Sequence, residues 1–132
     1  MSDFDKVLIK SELGKDDVCS SFVGKQNGTQ KLQLGKNCFQ KGVVQHELLH
    51  SSGIYHEHSR PDRNDFIKVN EECIQNDRQF NFKIRQTSNT YGLAYNPKSI
   101  MHYGAKDFAR DGCKTISSKV LRLIHWLSHM IK

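Results

Sequence analysis

The sequence predicts a mixed α+β fold with a small β region towards the N-terminus, one long helix and an irregular C-terminal part. Three observations carry this. Lys31-Leu32-Gln33-Leu34 alternates polar and apolar residues just after an Asn27-Gly28 turn signal, as a half-buried hairpin strand does. Val43, Val44, Leu48 and Leu49 recur at helical spacing, and Gly53 stands where such a helix would stop. Beyond residue 58 the chain is broken by Pro61, by several Asp and Asn residues and by Asn96-Pro97, with no long periodic run until its end. A length of 132 residues allows one domain, 1–132, with a single modest core.

The elements follow in order. Lys6–Lys10 is a strand within a stretch that mixes Phe4, Val7, Leu8, Ile9 and Leu13 with charges. Val18–Val23, closed by Gly24, and Lys31–Leu34 form a hairpin across the 25–30 turn. Gly35, Asn37 and Gly42 mark a loop, and Gly42–Ser52 is the long helix. Phe66–Val69 is a short extended piece, Glu71–Arg85 is helical or irregular, and Ser88–Lys98 is turn-rich. Residues 120–132 read as a terminal helix. Val120, Leu121, Leu123, Ile124, Leu127, Met130 and Ile131 line one side of it, and Arg122, His125, His129 and Lys132 lie elsewhere.

Composition narrows the class. An apolar fraction of 36% and a charged fraction of 26% belong to a globular chain and exclude a disordered one. The net charge of +6 comes from scattered Lys and Arg with no block of like charges, so it reads as solvated surface and no nucleic-acid partner is expected. No run of about 18 apolar residues exists, so no transmembrane segment is expected. The acidic start Met1-Ser2-Asp3-Phe4-Asp5 is not a signal peptide. Cys19, Cys38, Cys73 and Cys113 contain no C-x-x-C pair and suit two disulfides better than a zinc ribbon, with three connectivities open. Disulfides without a signal peptide leave two readings: a cytosolic chain with free thiols, or part of a longer secreted precursor. Asn27-Gly28-Thr29 is an N-glycosylation sequon, a frequent triplet that adds little to the second.

The chemistry concentrates in eleven residues. On a helix, positions i and i+4 share a face, so His46 and His50 can both reach one metal ion. Glu47 lies beside that pair and can reach a metal-bound water without being a ligand. A straight helix would carry His56 away, but a glycine at 53 can take positive φ and turn the chain back. The result is a three-histidine zinc site with an open position, which separates a catalytic zinc from a closed structural one. Five fixed positions make accidental surface or core histidines an inferior explanation. His58, His102, His125 and His129 carry no such pattern and read as ordinary satisfied side chains.

His46-Glu47-Leu48-Leu49-His50-Ser51-Ser52-Gly53-Ile54-Tyr55-His56 fits the metzincin pattern. The continuation His56-Glu57-His58-Ser59-Arg60-Pro61-Asp62-Arg63 and the segment Ser99-Ile100-Met101-His102-Tyr103-Gly104 resemble the astacin family of zinc metallopeptidases in particular, over about residues 19–116. The resemblance implies a zincin-like fold, one zinc ion on His46, His50 and His56, and Glu47 as general base and acid. It implies that Met101 floors the metal and that Tyr103 is a switchable ligand that stabilises the oxyanion. It places Glu57 where the family buries a glutamate against the mature N-terminus, and it pairs Cys19 with Cys38, a loop closure contributing about 3 kcal/mol. Either hairpin strand can correspond to the one that pairs with extended substrate. It also implies protein or peptide substrates and a secreted or extracellular location.

The departures are as definite. The chain is shorter than the family's catalytic domains and reads as an incomplete one, lacking most of the N-terminal subdomain and the prodomain. Asn64 stands where the family has aspartate, residues 120–132 do not resemble it, and Cys73 and Cys113 have no family partner and are left to pair with each other. Two alternatives therefore stand beside a working endopeptidase. One is a truncated zinc-binding relic without activity. The other is a basic surface-binding module that uses the 120–132 stretch.

Overall fold

The computed structural model describes residues 8–13, as backbone, and 18–120. These fall into two compact units, one within Met1–Tyr55 and one within His56–Lys132.

The first unit is a three-stranded sheet with a helix. Strands β1 (Leu8–Leu13), β2 (Cys19–Ser21) and β3 (Thr29–Leu34) lie in the order β1-β3-β2. β3 pairs parallel with β1 and antiparallel with β2, Cys19 facing Leu34 and Ser21 facing Leu32. The expected hairpin is therefore present, and its turn uses Gly24 at φ 79° and Gly28 at φ 77°. The first strand runs to Leu13, further along the chain than the Lys6–Lys10 expected. Alternation along β3 buries Gln30, Leu32 and Leu34 and exposes Thr29 and Lys31.

Helix α1 (Lys41–Ser51) packs Val43 and Val44 against Leu32, Leu34 and Cys38. Leu48 and Leu49 belong to the same periodic set but remain 41% and 36% exposed, because the sheet-facing side of α1 carries Glu47, His50 and Ser51 at its C-terminal end instead. A disulfide joins Cys19 on β2 to Cys38 just before α1.

The second unit holds little regular structure. Strands β4 (Ile67–Val69) and β5 (Ile116–Ser118) pair antiparallel, Val69 facing Ile116. The 71–85 stretch resolves into a single turn of 3-10 helix at Glu71–Cys73 and a longer one at Asn76–Phe82. The core is Ile67, Ile74, Phe82, Tyr95 and Ile116, with Phe66, Val69, Tyr103 and Phe108 against it. Cys73 bonds Cys113, and the Arg110 N–H donates to the Cys73 carbonyl at 2.8 Å, so that crosslink ties the 3-10 turn to the segment before β5. The terminal helix expected at 120–132 lies, but for Val120, outside the described residues.

Candidate metal centre

Helix α1 ends in a way that sets the site. Ser52 is the last residue with helical φ and ψ. Gly53 follows at φ 95°, a conformation that costs a side-chain-bearing residue about 1–2 kcal/mol. Its N–H donates to the His50 carbonyl at 2.8 Å, and the Ile54 N–H donates to the Leu49 carbonyl at 3.0 Å. Those two bonds are a Schellman motif, which satisfies the last carbonyls of the helix and reverses the chain. The Gly24 N–H adds a second donor to the His50 carbonyl at 2.8 Å, which anchors the hairpin turn to the helix end. The chain then continues through Ile54 and Tyr55 to His56.

Within these eleven residues the ligand nitrogens of His46, His50 and His56 all lie within 4.8 Å of one another. The rings of His46 and His50, one helical turn apart, meet edge to face at 4.6 Å. His50 is buried, and its Nδ1 bonds the Ile54 carbonyl oxygen at 2.8 Å. A carbonyl only accepts, so Nδ1 carries the proton and Nε2 is left as the lone-pair nitrogen. Burial lowers the His50 pKa, opposed by the bond to Ile54 and helped by the charge of His46, so the ring favours the neutral form a metal requires. Three imidazoles with no competing thiolate or carboxylate are a donor set that fits zinc.

Glu47 follows His46 on α1 and is only 6% exposed. Burial raises its pKa and the neighbouring His46 lowers it, so this carboxyl is easier to protonate than an exposed one.

In the second unit His56 lies beside Tyr103, ring centroids 4.8 Å apart. Met101 is 2% exposed, and its carbonyl accepts the Glu57 N–H at 2.8 Å. That bond ties the segment just after His56 to the Ser99–Gly104 turn. Burial, with Asp107 nearby, raises the Tyr103 pKa, which keeps the phenol protonated and able to donate. Glu57 Oε1 accepts from Arg60 Nη1 at 3.1 Å and from the Asn96 N–H at 2.7 Å.

Two further buried residues have a place here that no metal-ligand spacing marked. His58 is fully buried and stacks on Tyr103 at 3.9 Å, and His102 bonds the Tyr103 carbonyl oxygen through Nδ1 at 2.6 Å. Both stand inside the two segments that carry the family resemblance, His58 two residues after a ligand and His102 one before the tyrosine, and both are satisfied by hydrogen bonds, as their sequence reading expected.

Known proteins match closely. The family model for Astacin, a peptidase family, matches residues 4–129. Zinc metalloproteinase nas-14 of Caenorhabditis elegans is 40% identical over 120 residues, 89% of this chain and 24% of that protein. Blastula protease 10 of Paracentrotus lividus is 43% identical over 110 residues, 80% of this chain and 18% of that protein. Among solved structures, High choriolytic enzyme 1, a hatching enzyme zinc-protease from Oryzias latipes, superposes with a TM-score of 0.75 at 31% identity. It covers 90% of this chain, and the chain covers 58% of it. The chain thus has the zincin-like α+β fold of that neighbour and spans about a quarter or less of the length of these two curated relatives.

Proposed function

The chain belongs to the astacin family of zinc peptidases, and from that premise we propose that it is a zinc-dependent endopeptidase acting on protein or peptide chains. The observation that carries this is the convergence of the His46, His50 and His56 nitrogens within 4.8 Å, with a buried carboxyl, Glu47, next in sequence to the first of them. His46, His50 and His56 would hold the ion. Zinc in such a site lowers the pKa of a bound water to about 7 and polarises a substrate carbonyl.

The chain's own residues do the rest. Glu47 takes the proton of the attacking water and passes it to the leaving amine. Its burial supports that role, since a carboxyl that holds a proton more readily can carry one between the two steps. The Tyr103 phenol, beside His56, donates a hydrogen bond to the oxyanion as the carbonyl becomes tetrahedral. To Met101, buried and tied by its carbonyl to the Glu57 N–H, we assign the floor beneath the metal.

An extended peptide needs a strand edge to pair with. Of the two hairpin strands, among the described residues β3 is paired on both sides and β2 on one. β2 is therefore the strand to which we assign backbone pairing with substrate. Two disulfides suit an oxidising, extracellular setting. No helix among the described residues is long and apolar enough to cross a membrane.

The test is cleavage of an unstructured protein substrate by the zinc-loaded chain. Cleavage should stop with a chelator and return with added zinc. Cleavage indifferent to the chelator would refute a zinc peptidase.

A further inference from the structure

Both backbone polar groups of Tyr103 end on buried imidazoles. His102 Nδ1 bonds the Tyr103 carbonyl oxygen at 2.6 Å, and His102 Nε2 bonds the Tyr95 hydroxyl at 2.6 Å. A carbonyl has no proton to give, so Nδ1 donates, Nε2 accepts, and the Tyr95 hydroxyl is the donor. His58 has the opposite tautomer. Its Nε2 bonds the Asn81 carbonyl oxygen at 3.1 Å and must carry the proton, which leaves Nδ1 to accept the Tyr103 N–H at 3.4 Å. Both rings are shut off from water, His58 at 0% and His102 at 5% exposure.

The ring of Tyr103 is held as well. His58 stacks on it at 3.9 Å and 28°, with Phe82 edge-on at 5.6 Å and Phe108 at 5.4 Å on other sides. His58 and His102 thus define where the Tyr103 peptide sits and one wall along which its ring moves. Neither touches the reacting atoms.

We propose that His58 and His102, the latter backed by Tyr95, are positioning residues that hold Tyr103 by its N–H, its carbonyl and its ring face so that its phenol meets the oxyanion. This rests on the reading of Tyr103 as the oxyanion donor. A preorganised donor adds nothing to ground-state binding, so loosening it acts on kcat and leaves KM nearly alone.

Two measurements test this together. In long-range proton–nitrogen NMR spectra at pH 7, His58 should appear as the Nε2–H tautomer and His102 as the Nδ1–H tautomer, each unmixed. A mixed or reversed tautomer at either ring would overturn the clamp whether or not the chain turns over substrate. In kinetics, His102→Leu should lower kcat by about tenfold with KM within about twofold, the scale of a misplaced catalytic group. His102→Asn, which keeps an N–H donor in the place of Nδ1, should recover most of that loss. In a Tyr103→Phe background His102→Leu should cost little more. An equal loss in that background would mean that His102 acts through general packing, and the positioning role would be wrong. A Tyr103→Phe chain as fast as the parent would instead refute the role given to the phenol, and with it the catalytic meaning of the clamp, while the tautomers still report whether the clamp exists.

Discussion

The Nδ1 of His50 donates to the carbonyl oxygen of Ile54, 2.8 Å away and four residues on. Ile54 is in place because Gly53, at φ 95°, reverses the chain at the end of α1. One glycine therefore does two things: it orients the ring of the second histidine and it starts the path that brings in the third.

Gly53→Ala tests that coupling. A Cβ there meets only Gly24 Cα at 3.7 Å, so there is space and the strain is purely that of a positive φ. The variant should lose about 1–2 kcal/mol of stability and bind zinc about 10–100-fold more weakly, as loss of an outer-shell partner does. Competition against a chromophoric chelator reads the affinity. Unchanged zinc binding would mean that the turn does not orient the ligands.

The Cys19–Cys38 disulfide closes a loop of sequence separation 19 and staples β2 to the start of α1. Replacing both cysteines by serine should lower stability by about 3 kcal/mol in the chain-entropy picture. Denaturant unfolding checks it. A loss under about 1 kcal/mol would show that the hairpin is ordered without the crosslink.

Arg60 is 6% exposed and bonds both oxygens of Asp62, Oε1 of Glu57 and the carbonyls of Leu93 and Ala94. Arg60→Ala removes the cation from between the Glu57 and Asp62 carboxylates, leaves Glu57 with the Asn96 N–H, takes a donor from two carbonyls, and should cost about 3 kcal/mol. Arg60→Lys should recover less than half, because an ammonium cannot make the paired contact with Asp62. Thermal melts of the two variants decide. Full recovery by lysine would reduce Arg60 to a simple charge.

Acid should destabilise the second unit before its carboxylates titrate. His58 is held down to about 3 when folded, mainly by burial, with His102 and Arg63 adding to it. The unfolded chain binds that proton near pH 6.5. Between those values the unfolded state carries more protons, so stability falls as pH falls, by up to about 1.4 kcal/mol per pH unit for this one ring. Melts from pH 7 to 4.5, with chelator present so that metal release does not contribute, should show the decline. His58→Phe should flatten it. Constant stability across that window would mean that His58 is protonated in the fold.

The parts of this architecture that are legible in sequence are local ones. Helix α1, its glycine stop and the histidine triplet lie within one short continuous segment, where spacing alone dictates geometry. The β2–β3 hairpin is likewise a short-range pattern with a turn signal between its strands. What escaped depends on distant neighbours. β5 is a three-residue strand that forms only by pairing with β4, far back along the chain. Leu48 and Leu49 fit the helical period but face away from the sheet, since periodicity gives the faces of a helix and not which one is covered. His58 and His102 are distant in sequence and take their meaning from Tyr103 between their hydrogen bonds.

The most direct measurement of the central claim is the pair of zinc content and proteolysis in the parent chain and in Glu47→Ala. Glu47 is next to a ligand without being one of the three whose nitrogens converge. One zinc per chain is expected in both, with cleavage of an unstructured protein by the parent and a loss of at least about 10²-fold in the variant, the scale of a removed general base. Cleavage that survives in the zinc-loaded variant would contradict the role of Glu47. A folded, zinc-loaded parent that cleaves nothing would contradict the peptidase itself and leave a metal-binding relic.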